Sequence, residues 1–192
     1  EEDKSQEFGR LTGVIRDEIR RLNVIIEDFL TFSRSRRLEL REYSLTEVVQ
    51  KLARLMGEEA RARGIVLTLR HEPDALMVPM DVDKLQQALI NIVKNAIESI
   101  DGPGSIDIAM EKPSGDRAVV RISDTGSGLA PGEVEKIFDP DYTTKEKGLG
   151  LGLPIAYEII RGHGGTIRVQ SAVGKGTTFE ITLPTRPASP AR

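Results

Sequence analysis

The chain has 192 residues, a hydrophobic fraction of 39% and a formal net charge of −3. That length allows one compact domain with an appendage, or two small domains, and the charge gives no global basic field of the kind that binds nucleic acid. The absence of cysteine excludes disulfides and thiolate metal sites, no apolar run approaches the roughly 18 residues of a membrane-spanning helix, and the charged start Glu1-Glu2-Asp3-Lys4 does not fit a signal peptide, so a cytoplasmic location without membrane contact is expected.

Residues 8–42 follow one long helical pattern. Leu11, Ile15, Ile19, Leu22, Ile26 and Phe29 recur at spacings of three and four, with charged residues between them. A helix this long cannot bury its stripe alone and must pack on another helix. Arg34, Arg36, Arg37 and Arg41 read either as a basic patch or as a solvated helix end facing the dipole. A domain boundary is placed between Arg41 and Ser44, leaving 1–43 as the first unit, 44–184 as the second and 185–192 as a Pro- and Ala-rich tail expected to be disordered.

Ser44-Leu45-Thr46-Glu47 reads as a capping box. A helix follows to about Arg63, and Gly64 stops it. Strands are predicted at residues 65–69 and around 76–78. Asp81 caps a helix running to about Ile100, which Asp101-Gly102-Pro103-Gly104 ends. Two strands, 105–111 and 117–123, form a hairpin. A glycine-rich irregular stretch spans 124–152, followed by a helix over 153–162 and strands at 166–170 and 177–183. Hairpins with helices between them predict an α+β fold, a two-layer sandwich with a mixed sheet on one side and helices on the other.

Three constellations carry chemistry. Asn91 and Asn95 are one turn apart on a single helix face, where asparagine is a poor interior residue. A magnesium-nucleotide would suit them, since Mg²⁺ takes only one or two protein oxygens. A pair of solvent-facing amides is the competing reading. Asp124-Thr125-Gly126-Ser127-Gly128 lies where a strand runs out. A carboxylate there can accept from an exocyclic amine such as adenine N6, and the glycines admit a flat ring; a plain turn is the alternative. Gly148-Leu149-Gly150-Leu151-Gly152-Leu153 immediately precedes a helix, which makes it an anion site or a hinge. It is neither the dinucleotide fingerprint nor a P-loop.

Together, in this order and spacing, these segments resemble the ATP-binding domain shared by histidine kinases, type II topoisomerases, mismatch-repair ATPases and the heat-shock chaperone (the Bergerat-type fold). Within it the likeness is to sensor histidine kinases of two-component systems. Asn91 to Ala96 is similar to the N box, Asp124 to Leu129 to the G1 box, and Ile137-Phe138-Asp139-Pro140 with Tyr142-Thr143-Thr144-Lys145 to the F box. Gly148 to Leu153 is similar to the G2 box. His163-Gly164-Gly165 and Gly174 to Phe179 match the trailing segment. The resemblance covers about residues 44–184.

It implies ATP and Mg²⁺ as cofactors. Asp124 would read the adenine amine and Thr178 would sit behind the same ring. Asn95 would ligate Mg²⁺, with Asn91 assisting. Gly150 and Gly152 would give amides to phosphate, and residues 138–150 would be a lid. Lys145 and Lys147 are candidates for the γ-phosphate, or plain solvated charges. Other ATPases of the superfamily carry a glutamate base at the Asn91 position. Asparagine cannot take a proton from water, which favours phosphoryl transfer over hydrolysis.

The leading helix is similar to the second helix of the dimerisation and phosphoacceptor domain. This implies a homodimer through that helix, a phosphoacceptor helix in the parent protein and a response-regulator receiver domain as partner. The chain has only two histidines, and neither lies on that helix. His71 reads as a strand-edge residue and His163 as a helix-end cation favoured by the dipole. The expectation is therefore a truncated or engineered piece that binds ATP or ADP but does not phosphorylate itself. The rivals are a serine/threonine kinase of the anti-sigma type and a non-catalytic nucleotide-sensing module.

Overall fold

The computed structural model describes residues 12, 13, 16, 19, 38–71, 75–112, 115–140, 142 and 150–186. The chain divides into two compact units, Glu1–Arg36 and Arg37–Arg192. In the first, Thr12, Gly13, Arg16 and Ile19 are helical, and the rest of its predicted apolar stripe lies outside the described residues.

The second unit begins with β1 (Arg41–Ser44) and α1 (Leu45–Ala62), then β2 (Ile65–His71), β3 (Met77–Met80) and α2 (Val82–Ser99). The hairpin strands β4 (Gly104–Glu111) and β5 (Arg117–Asp124) follow, then the short α3 (Pro131–Val134), α4 (Gly152–Gly162), β6 (Thr166–Ser171) and β7 (Thr177–Pro184). Residues 38–42 are not helical as the leading pattern predicted. Arg41 to Ser44 pair antiparallel with β3 instead, so their backbone groups find partners far along the chain rather than four residues away.

Local sequence explains the two long helices. The Ser44 hydroxyl accepts from the Glu47 N–H at 3.3 Å, and the Asp81 carboxylate accepts from the Lys84 N–H at 3.2 Å. Each therefore satisfies an otherwise orphaned donor in a first turn. Leu45, Val48, Val49, Leu52, Met56 and Ala60 line one side of α1, and Leu85, Leu89, Ile92, Val93 and Ala96 one side of α2; all are buried.

The main sheet has five strands in the order β2-β4-β5-β7-β6. Strands β2 and β4 are parallel, because β3 and α2 intervene as a crossover, and the remaining pairs are antiparallel. Along β7, Thr177, Phe179, Ile181 and Leu183 point toward the helices and are buried, while Thr178, Glu180 and Thr182 face the other way. Full burial of Phe179 contributes about 2–3 kcal/mol. The uncovered face is polar: Arg121 bridges Glu111 at 2.6 Å and Glu180 at 2.9 Å. This is the predicted two-layer α+β sandwich. Among the described residues no helix is long and apolar enough to cross a membrane.

Candidate nucleotide site

Helix α2 is the spine of the site. Asn91 and Asn95 are half-buried on it. The Asn91 side-chain NH2 donates to the Gly152 carbonyl at 3.0 Å, which ties the middle of α2 to the first residue of α4. Because the NH2 is engaged, the side-chain carbonyl oxygen is left as an acceptor. Ser99, roughly two turns further along α2, has its Oγ 2.8 Å from the Ala96 carbonyl oxygen and 3.3 Å from Asp124 Oδ1, two acceptors for its single hydrogen.

Asp124 ends β5 and is 7% exposed. Its Oδ1 also accepts from the Gly126 N–H at 2.8 Å and the Thr177 N–H at 3.2 Å. No described residue donates to Oδ2 in these contacts. Burial holds the carboxyl above its ordinary range, an effect that the N–H groups of Gly126 and Thr177 and the Ser99 hydroxyl offset only in part. A buried oxygen with no donor among the described residues is suited to a ligand amine.

The glycines here serve close backbone approach. A Cβ on Gly126 would stand 2.2 Å from Ser99 Oγ, and one on Gly128 would stand 2.0 Å from the Ala172 carbonyl oxygen. Gly176, at φ +81°, would put a Cβ 1.9 Å from the Asp124 carbonyl oxygen. Ser171 locks the neighbourhood: its Oγ accepts from the Leu129 N–H at 2.8 Å and donates to the Gly176 carbonyl at 3.0 Å.

At the other end, Gly150 has φ +68°, Leu151 is buried and Leu153 half-buried. The first-turn N–H groups of Gly152 and Leu153 have no intrahelical acceptor, which is the arrangement that favours an anion. Tyr142 donates to Glu133 Oε1 at 3.2 Å, and Glu133 Oε2 accepts from the Ala130 N–H at 2.7 Å. Phe138 lies against Tyr157 with ring centroids 5.0 Å apart. Thr143, Thr144, Lys145, Lys147, Gly148 and Leu149 lie outside the described residues.

Two expectations change. Thr178 is on the uncovered face of the sheet, where its hydroxyl pairs with that of Ser123 at 2.9 Å; its neighbour Thr177 is the threonine beside Asp124. A one-residue step along a strand reverses the face. Its parity with the apolar Phe179 and Ile181 already marked Thr177 as inward. His163 is not a helix-end cation. It is 3% exposed, its Nε2 accepts from the Asp81 N–H at 3.0 Å, and an accepting ring nitrogen carries no proton. Ser99, Ser171 and the link from His163 to Asp81 gave no signal as motifs, since each works through a residue remote in sequence.

A family model described as histidine kinase-, DNA gyrase B- and HSP90-like ATPase matches residues 80–187. The chain belongs to that family. Within the ATPase family its relatives are histidine kinases. It is 35% identical over 93% of its length to the sensor histidine kinase ZraS of Salmonella typhimurium, spanning 38% of that protein. The nucleotide-free catalytic domain of the histidine kinase ThkA is 33% identical with a TM-score of 0.71, over 78% of this chain and 97% of that domain. ThkA in complex with the response regulator TrrA matches at 32% identity and a TM-score of 0.76, over 91% of this chain and 50% of that one. Full-length ShkA in complex with AMPPNP matches at 26% identity and a TM-score of 0.82, over 93% of this chain and 39% of that one. The chain carries the ATP-binding catalytic domain found in sensor histidine kinases, and it spans between about a quarter and two fifths of the length of curated relatives such as ZraS and the sporulation kinases of Bacillus subtilis.

Proposed function

We propose that this domain holds magnesium-ATP along α2 and donates its γ-phosphoryl to a histidine supplied by another segment, for relay to an aspartate of a response-regulator receiver. The observation that carries this is a spacing. The buried Asp124, whose Oδ2 has no donor among the described residues, and the Asn91–Gly152 joint are connected by α2 over about 12 Å, the scale of an extended nucleotide. Adenine belongs at the Asp124 end, with Thr177 behind it, and the phosphates at Gly150, Gly152 and Leu153.

The donor set fits Mg²⁺. The amide oxygens of Asn95 and Asn91 would be its protein ligands beside phosphate oxygens and water, since Mg²⁺ takes only one or two protein oxygens. Bound there, the ion would neutralise charge on the transferring phosphoryl group. Asn91 has no titratable group and cannot activate water, so the residues position and stabilise rather than hydrolyse. Lys145 and Lys147 are the cationic candidates for the γ-phosphate. We assign the first unit, Glu1–Arg36, to a dimerisation helix that pairs two copies, and the unit that starts at Arg37 to the donor domain.

The test is incubation with γ-labelled ATP, alone and with a separately supplied histidine-bearing helix pair. The expected product is acid-labile phosphate on the added helix and none on this chain. Acid-stable phosphate on serine or threonine overturns the reading.

A further inference from the structure

The buried His163 uses both ring nitrogens. Nε2 accepts from the Asp81 N–H at 3.0 Å, and Nδ1 lies 2.7 Å from the Ile159 carbonyl oxygen. The ring is therefore the neutral tautomer with its hydrogen on Nδ1. Asp81 is the N-cap of α2 and His163 the C-cap of α4, so one imidazole joins the start of one helix to the end of the other across 82 residues of sequence. The Asn91–Gly152 bond joins the same two helices at the opposite end of α4. The helices run antiparallel with a polar pin at each end, about 16 Å apart. The chain enters the unit on this clasp: the Glu39 N–H donates to Asp81 Oδ2 at 3.3 Å, and a Cβ on Gly162 would stand 2.9 Å from Leu38 Cδ1.

Two pins fix a rod, whereas one leaves it free to pivot. Over about 16 Å, a pivot of roughly 4° moves the far end by about 1 Å, enough to misplace donors that must converge on phosphate. We propose that His163 is a positioning residue for the nucleotide site: through the Asp81 N–H it sets the tilt of α4, and so fixes where the Gly150–Leu153 amides stand relative to Asn91. The proposal rests on the phosphates lying at the Gly150–Leu153 end of the proposed nucleotide site.

The test compares ADP with adenosine on the full chain, because adenosine uses only the Asp124 end. In His163→Phe, which fills the space without either hydrogen bond, ADP affinity falls about tenfold while adenosine affinity holds. His163→Gln can place its carbonyl oxygen where Nε2 was and restores ADP binding; His163→Asn reaches Ile159 but not Asp81 and does not. General destabilisation would lower both ligands together. Equal affinities in wild type and a folded His163→Phe, or a parallel loss of both ligands, overturn the proposal. If His163→Phe does not fold, the Gln and Asn variants decide, and equal ADP affinity in those two overturns it. A wild-type chain that binds no ADP sinks the reading of the site itself, a result distinct from unchanged binding in the variants.

Discussion

Gly176 packs so closely on Asp124 that a single added carbon at Gly176 would stand 1.9 Å from the Asp124 carbonyl oxygen. The contact presses the turn before β7 onto the end of β5 and brings the Thr177 N–H to the Asp124 carboxylate. Gly176→Ala meets both this overlap and an unfavourable positive φ. It should cost about 3 kcal/mol of stability, read by urea denaturation, and nucleotide binding should weaken at temperatures where the variant remains folded. Wild-type stability in this variant would refute the contact.

Asp124→Asn keeps an oxygen for Gly126 and Thr177 but turns Oδ2 into a donor. ATP affinity should fall about 100-fold, measured by calorimetric titration. Nucleotides with an oxo group in place of the exocyclic amine, such as ITP, should bind wild type weakly and gain from the change, because the new donor can pair with the 6-oxo oxygen. If ATP and ITP lose equally, Asp124 does not read the base.

The same carboxyl gives a pH signature. Burial holds its pKa above the ordinary carboxylate value, so the folded state keeps the proton more tightly than the unfolded chain. Its contribution to stability is fully present below the unfolded pKa and is lost as pH rises through the folded one. In nucleotide-free protein, the stability of wild type minus that of Asp124→Asn should therefore fall as pH rises across that window. Adenine binding should strengthen over the same window, because a donor to Oδ2 favours the charged form. Denaturation at a series of pH values checks the first statement and ADP titration the second; a flat difference counts against the assignment.

Thr177 and Thr178 are adjacent in sequence but on opposite faces of the sheet. Thr177→Val removes a buried hydroxyl that pairs with Ser171 at 2.9 Å, beside the adenine end. Thr178→Val removes only the pairing with Ser123. The first should weaken nucleotide binding about fivefold to tenfold, and the second should have the smaller effect. The reverse order in a titration would put the ring on the other face.

Asn91→Ala should cost about 1 kcal/mol through the lost bond to Gly152, and should lower ADP affinity more than adenosine affinity. Asn91→Asp should be worse, since a carboxylate oxygen would then face the Gly152 carbonyl. Thermal unfolding with paired titrations separates the two effects.

Much of this protein was legible in its sequence because the information is local. The hydroxyl of Ser44 and the carboxylate of Asp81 reach only three residues along the chain to cap their helices. The three- and four-residue spacing of α1 and α2 and the alternation of β7 mark which side each element buries. The order of the asparagine pair, the Asp124 turn and the glycine run pointed to a nucleotide. Tertiary structure decided the rest. Residues 41–44 became a strand because β3 was there to pair with them. Thr177 rather than Thr178 met Asp124 because the β5–β7 register set which face each threonine occupies. His163 became a neutral link rather than a cation because the Asp81 N–H, 82 residues earlier, points at its ring. Periodicity names a face, but only long-range hydrogen bonds and close packing settle what that face meets.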